Sequence, residues 1–148
     1  MPLRYLEDFI AGQSHDAGSA DVHLDEIVDF AHRYDPQPFH LVHEAAQASI
    51  FAGMTASGWF TAALTMRLAV QSGVMKEIGI IGLGVDELRW PNPVRPGDRL
   101  RLTMEVVDVK PSERGSPRGI VSVRLTTRNQ RDEVVFNGIA RLLAPRRP

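Results

Sequence analysis

Asp35 and His40 stand five residues apart in YDPQPFH, residues 34–40, with prolines at 36 and 38. A carboxylate and an imidazole are the parts of an acid–base pair: histidine exchanges a proton near neutral pH, and a carboxylate beside it orients water and tunes the ring. Spacing alone does not join them. Side chains five apart point to opposite faces of a strand and diverge by well over a right angle on a helix. The two prolines exclude a helix through the segment and fix two torsions, so the sequence predicts a bent, rigid tether that turns the pair together. Taken alone, Asp35 reads more readily as a helix stop and His40 as a structural histidine.

LDEIVDFAHRY (24–34) carries Leu24, Ile27, Val28 and Ala31 at helical spacing and predicts an amphipathic helix ending at Asp35. HEAAQASIF (43–51) reads as a second short helix stopping near Gly53, and ASGWFTAALTMRLAVQS (56–72) as a core helix, apolar all round, with Arg67 its only charge. Residues 1–23 read as a polar lead. Alternation predicts strands at 99–109, 121–128 and 134–144, the last two a hairpin across NQRD. PSERGSPRG (111–119) reads as the loop expected to move most, and GLGVDE (82–87), lacking the third glycine of a dinucleotide loop, as a bulged strand. Helices first and antiparallel strands after indicate an α+β class, and the long apolar helix requires a curved sheet to cover it.

Composition narrows the classes further. One domain over residues 1–148, 43% hydrophobic, holds a core large enough to fold without staples. With no cysteine, disulfides and thiolate metal sites are excluded, and a reducing, cytoplasmic setting is the expectation. Seventeen basic against 18 acidic residues give no basic groove, so no nucleic-acid partner is expected. Polar interruptions of the 56–72 stretch argue against a membrane span.

Three pieces, in order, resemble the MaoC-like enoyl-CoA hydratase/dehydratase family of the R-specific hydratase type. DPQPFH (35–40) is similar to its D-x-N-P-x-H segment, ASGW (56–59) opens the central helix where the family has His-Gly, and PNPVRPGDRL (91–100) resembles its P-V-x-P-G-D strand entry. The resemblance spans most of Leu24–Val109 and implies a hotdog fold, a curved antiparallel sheet wrapped around a long central helix. Gln37 stands in place of the pattern's asparagine, Ser57 of its histidine and Met66 of its serine, which implies a differently shaped pocket.

The implied activity is hydration of a 2-enoyl-CoA thioester to a 3-hydroxyacyl-CoA, or the reverse dehydration, in fatty acid metabolism. No metal or organic cofactor is implied; the CoA thioester is substrate. Asp35, His40 and Gly58 would be the catalytic set, with Gln37, Pro38, Ser57 and Trp59 meeting the substrate. Gly58 also earns its place physically, because unpaired N–H groups and the dipole at a helix amino end face incoming negative charge. Ser57 reads first as that helix's cap. A homodimer, or a dimer of dimers, is the implied assembly, and a lone sheet around one helix leaves edges for a second copy to cover.

Other residues carry weaker signals. His40, His43 and Glu44 hint at metal but lack further ligands by spacing. Arg67 needs an ion-pair partner or an exit to solvent. Met54, Met66 and Trp59 fit either an acyl tunnel or simple core, and Arg89, Arg95 and Arg99 could meet CoA phosphates. Two rival functions stand: a hotdog acyl-CoA thioesterase, disfavoured because 56–72 holds no Asp or Glu, and a non-catalytic acyl-thioester-binding subunit.

Overall fold

The computed structural model describes residues 3–112 and 115–148. After a short turn at Leu6–Asp8 the order is β1 (Ser14–Asp21), α1 (Leu24–Tyr34), α2 (Pro38–Leu41), α3 (His43–Gln47), α4 (Gly58–Gln71), β2 (Gly82–Arg89), β3 (Arg99–Pro111), β4 (Arg118–Arg128) and β5 (Val134–Pro145). The strands form one five-stranded antiparallel sheet, ordered β1-β3-β4-β5-β2.

Strand alternation decides which face meets the long helix. Leu100, Leu102, Met104 and Val106 of β3 are buried while Arg101 and Glu105 face out. Leu68 and Ala69 of α4 pack in one cluster with Leu102, Met104, Val106, Val123, Leu125, Ala140 and Leu142. A buried hydroxyl pair, Thr65 Oγ1 to Thr127 Oγ1 at 2.7 Å, ties α4 to β4. The amino-terminal half of α4 joins a second cluster, in which Phe60 and Leu64 meet Ile27 of α1, Leu100 of β3 and Val135 of β5. Each such aliphatic side chain contributes about 1.5–3 kcal/mol on leaving water. The opposite face of α4 leaves Trp59, Met66 and Val70 exposed, so one sheet covers only part of a helix that is apolar all round.

Several expectations change. Ser14–Asp21 is an edge strand rather than polar lead; SHDAGSAD has no apolar alternation and buries only Ala17, so pairing with β3 supplies what propensity does not. Pro38 does not exclude a helix but begins one, since the first helical position needs no N–H. The second helix stops at Gln47, and the chain to Ser57 turns through Ala52 (φ 52°) and Gly53 (φ 156°). α4 starts at Gly58, two residues later than the apolar stretch. The bulged-strand reading of 82–87 agrees with β2, whose register with β5 shifts twice. Of the segment 111–119 expected as the most mobile loop, Pro111 instead ends β3, Arg118 and Gly119 begin β4, and residues 113–114 lie outside the described residues. Arg67 exits to a half-exposed pair with Glu26 at 3.6 Å. Among the described residues no helix is long and apolar enough to cross a membrane.

Candidate active site

The tether does bring its two ends together. Helix α1 ends on Asp35, whose N–H still donates to Ala31 O at 2.9 Å but whose φ of −152° and ψ of 67° leave the helical region. Gln37 is extended, α2 opens on Pro38, and one turn places the His40 ring back over the carboxylate. His40 Nε2 lies 3.4 Å from Asp35 Oδ2, with the His40 side chain 6% and the Asp35 side chain 17% exposed.

The other ring nitrogen fixes the tautomer. His40 Nδ1 sits 2.7 Å from the Thr55 carbonyl oxygen, which can only accept, so Nδ1 carries the hydrogen and Nε2 is the nitrogen free to take one. Thr55 lies in the irregular stretch before α4 and is held there from the 91–100 segment. Its Oγ1 donates to Val94 O at 3.1 Å, and Ala56 N donates to the same carbonyl at 2.8 Å. Arg95 reaches back to donate to Phe51 O at 2.6 Å and Met54 O at 3.3 Å. Asp98 receives the Arg95 N–H at 2.9 Å and steadies the turn. The strand-entry motif is thus the brace of the histidine's partner.

Burial pushes the Asp35 carboxyl up, but hydrogen bonds from Ser57 and Gln37, then the charge of His40, outweigh it and hold the group below the usual carboxylate value. The Gln37 contribution is a short bond, Nε2 to Asp35 Oδ1 at 2.6 Å. Ser57, wholly buried, also caps α4 by accepting the Trp59 N–H at 3.2 Å. Gly58 is the first residue of α4, where a backbone N–H has no partner within the helix and points outward with the dipole. The Trp90 indole lies against it: a Cβ on Gly58 would meet Cε2 at 2.6 Å and Cδ2 at 2.7 Å.

These groups share a cavity of about 400 Å³. Of the residues named from sequence, Asp35, Gln37, His40, Ser57, Gly58 and Trp59 line it; Pro38 does not, being exposed at the start of α2. Met54 and Met66 lie outside it, as do Arg89, Arg95 and Arg99; Arg99 instead pairs with Asp21 at 3.1 Å. Phe39, Phe51, Thr55, Trp90, Asn92 and Val135 line it without having been picked out. Trp90 precedes the Pro-rich segment that carries a motif and Asn92 lies within it, so that signal was available; Thr55 acts through its backbone and left none. Asp35 is the one acidic side chain in the lining. His43 is exposed, and among the described residues no three His, Asp or Glu side chains gather as a metal ion requires.

Comparison with known proteins gives one consistent family. The family described as MaoC like domain matches residues 9–129. A solved MaoC-like dehydratase from Rhodospirillum rubrum superposes with a TM-score of 0.92 at 48% identity, covering 97% of this chain and 98% of the other. Uncharacterized protein YdeM of Bacillus subtilis is 34% identical over 95% of this chain and 99% of its own length. The 3-hydroxyacyl-thioester dehydratase Z of Mycobacterium tuberculosis is 31% identical over 79% of this chain and 81% of its own.

Proposed function

Because the chain belongs to the MaoC-like domain family, whose hotdog architecture it shares, we propose that it adds water across the double bond of a 2-enoyl-CoA thioester, or removes it from a 3-hydroxyacyl-CoA. The observation that carries this reading is the approach of Asp35 Oδ2 and His40 Nε2 to 3.4 Å, beside the amino end of α4 in one cavity. The name of the mycobacterial relative, a 3-hydroxyacyl-thioester dehydratase, supports the same reaction class.

In this reading the pair and the helix end divide the reaction between them. A water held between Asp35 Oδ2 and His40 Nε2 gives a proton to Nε2 as its oxygen bonds to the β-carbon. The displaced electron pair moves onto the thioester oxygen, where the Gly58 N–H stabilises the charge; one such donor is worth roughly 3 kcal/mol in a transition state. The imidazolium, steadied by ionised Asp35, then returns its proton to the α-carbon, so water is added overall. Dehydration is the same path reversed.

A second copy of the chain completes the assembly in this reading. The two sheet edges differ. β1 is bulged between Asp16 and Ser19 and carries Asp16 and Asp21, features that discourage pairing. β2 is bulged as well and carries Asp86, Glu87 and Arg89 in its second half, but its first half exposes the apolar Leu83 and Val85, and its outer backbone edge is unpaired among the described residues. Antiparallel pairing of β2 with its own copy about a two-fold axis would cover that edge.

The test is to incubate the purified chain with enoyl-CoA thioesters of graded length and follow loss of the conjugated absorbance alongside free thiol. Hydration without thiol release is expected. Thiol release without hydration would make the chain a thioesterase, and tight binding without either would make it a binding subunit.

A further inference from the structure

Asp35 offers two oxygens, and the structure assigns them different neighbours. Gln37 Nε2 donates to Oδ1 at 2.6 Å, whereas Oδ2 faces His40 Nε2 at 3.4 Å. The backbone doubles the grip: the Gln37 N–H donates to the Asp35 carbonyl at 2.8 Å, across a proline whose torsion is fixed. Carboxylate bonds of this kind are about twice as strong as neutral ones, so Oδ1 is committed and the group cannot freely exchange its oxygens.

We infer that Gln37 is a positioning residue, which ties down one oxygen of Asp35 and so reserves the other for the molecule shared with His40. This deepens the proposed function and rests on its reading of Asp35 and His40 as the working pair. The sequence adds an independent point. Gln37 and Ser57 are two of the three positions at which the chain departs from the pattern it resembles, and both converge on this carboxylate. A side chain one methylene longer than asparagine is therefore not a neutral change at the rim but a contact with the acid itself. The charged or titratable group facing Asp35 is His40 of α2; Ser57 at the head of α4 and Gln37 are neutral donors. A carboxylate already accepting from Gln37 is a poor proton acceptor, which leaves His40 Nε2 to take the proton and Asp35 to orient the water.

The substitution Gln37→Met keeps the length and removes the donor, and Gln37 is exposed, so the fold is retained. Carbon-13 NMR of the Asp35 carboxyl, read in wild type, Gln37→Met and Gln37→Asn, follows its titration with no need for turnover. In Gln37→Met the titration moves to higher pH, and hydration of crotonyl-CoA loses about tenfold in kcat with KM within twofold, while Gln37→Asn lies between. An unmoved Asp35 titration, or a loss confined to KM, would overturn the inference and make Gln37 a substrate contact. A chain that hydrates no enoyl thioester yet shows the shifted titration would overturn the reaction while upholding the clamp.

Discussion

At Gly58 the absence of a side chain lets the Trp90 indole lie flat against the start of α4, within 2.7 Å of where a Cβ would stand. Gly58→Ala therefore displaces Trp90 or the helix end, an overpacking worth about 1–3 kcal/mol, and it disturbs the amide proposed to hold the thioester oxygen. The expected result is a lower Tm with kcat/KM down by at least about tenfold; adding Trp90→Ala recovers the Tm but not the rate. Thermal melts and kinetics of the two variants check this. Asp35 makes a separate prediction. Its carboxyl is depressed in the folded state, so its stabilisation is complete above the ordinary carboxylate value and is lost as pH falls through the lower folded value. Wild type and Asp35→Asn should thus differ by a constant amount at neutral pH and converge below about pH 4, as urea titrations at a series of pH values would read.

At the scale of elements, two cross-links hold the site to the sheet. Thr65 and Thr127 share a buried hydrogen bond of 2.7 Å between α4 and β4. Thr65→Val leaves a buried hydroxyl without its partner and should cost about 1–3 kcal/mol, whereas the double Thr65→Val, Thr127→Val chain should recover most of it. Denaturant unfolding of the three variants measures the coupling. Arg95 is the other link: Arg95→Met frees the Phe51 and Met54 carbonyls and should cost about 1.5–3 kcal/mol while loosening Thr55 under His40. The core helix and β3, β4 and β5 were legible because their apolar residues keep a period the sheet enforces. β1 was not, because an edge strand with one buried residue needs no apolar alternation. The short helix at Pro38 was misread because the rule against proline applies to helix interiors. Asp35, His40 and Gly58 could be named from motifs, but the role of Thr55 belongs to a backbone carbonyl, which no residue type announces.

For the whole molecule, the exposed apolar surface of α4 and β2 is the part a single chain leaves unfinished. Trp59, Met66 and Val70 on the helix and Leu83 and Val85 on the strand face solvent in the isolated chain. If β2 pairs with its copy, light scattering after size exclusion should show wild type as a dimer and Val85→Lys, which sets a charge on each facing edge, as a monomer. A monomeric wild type would contradict the pairing, and a dimeric Val85→Lys would move the interface elsewhere. If Asp35 and His40 act on one shared water, the kinetics of Asp35→Asn, His40→Ala and the double variant on crotonyl-CoA must show it. Each single change should lower kcat/KM about 10²–10⁴-fold, and the double should fall little further, because either loss already disables the unit. Near wild-type turnover in either single variant, or losses that multiply in the double, would contradict it.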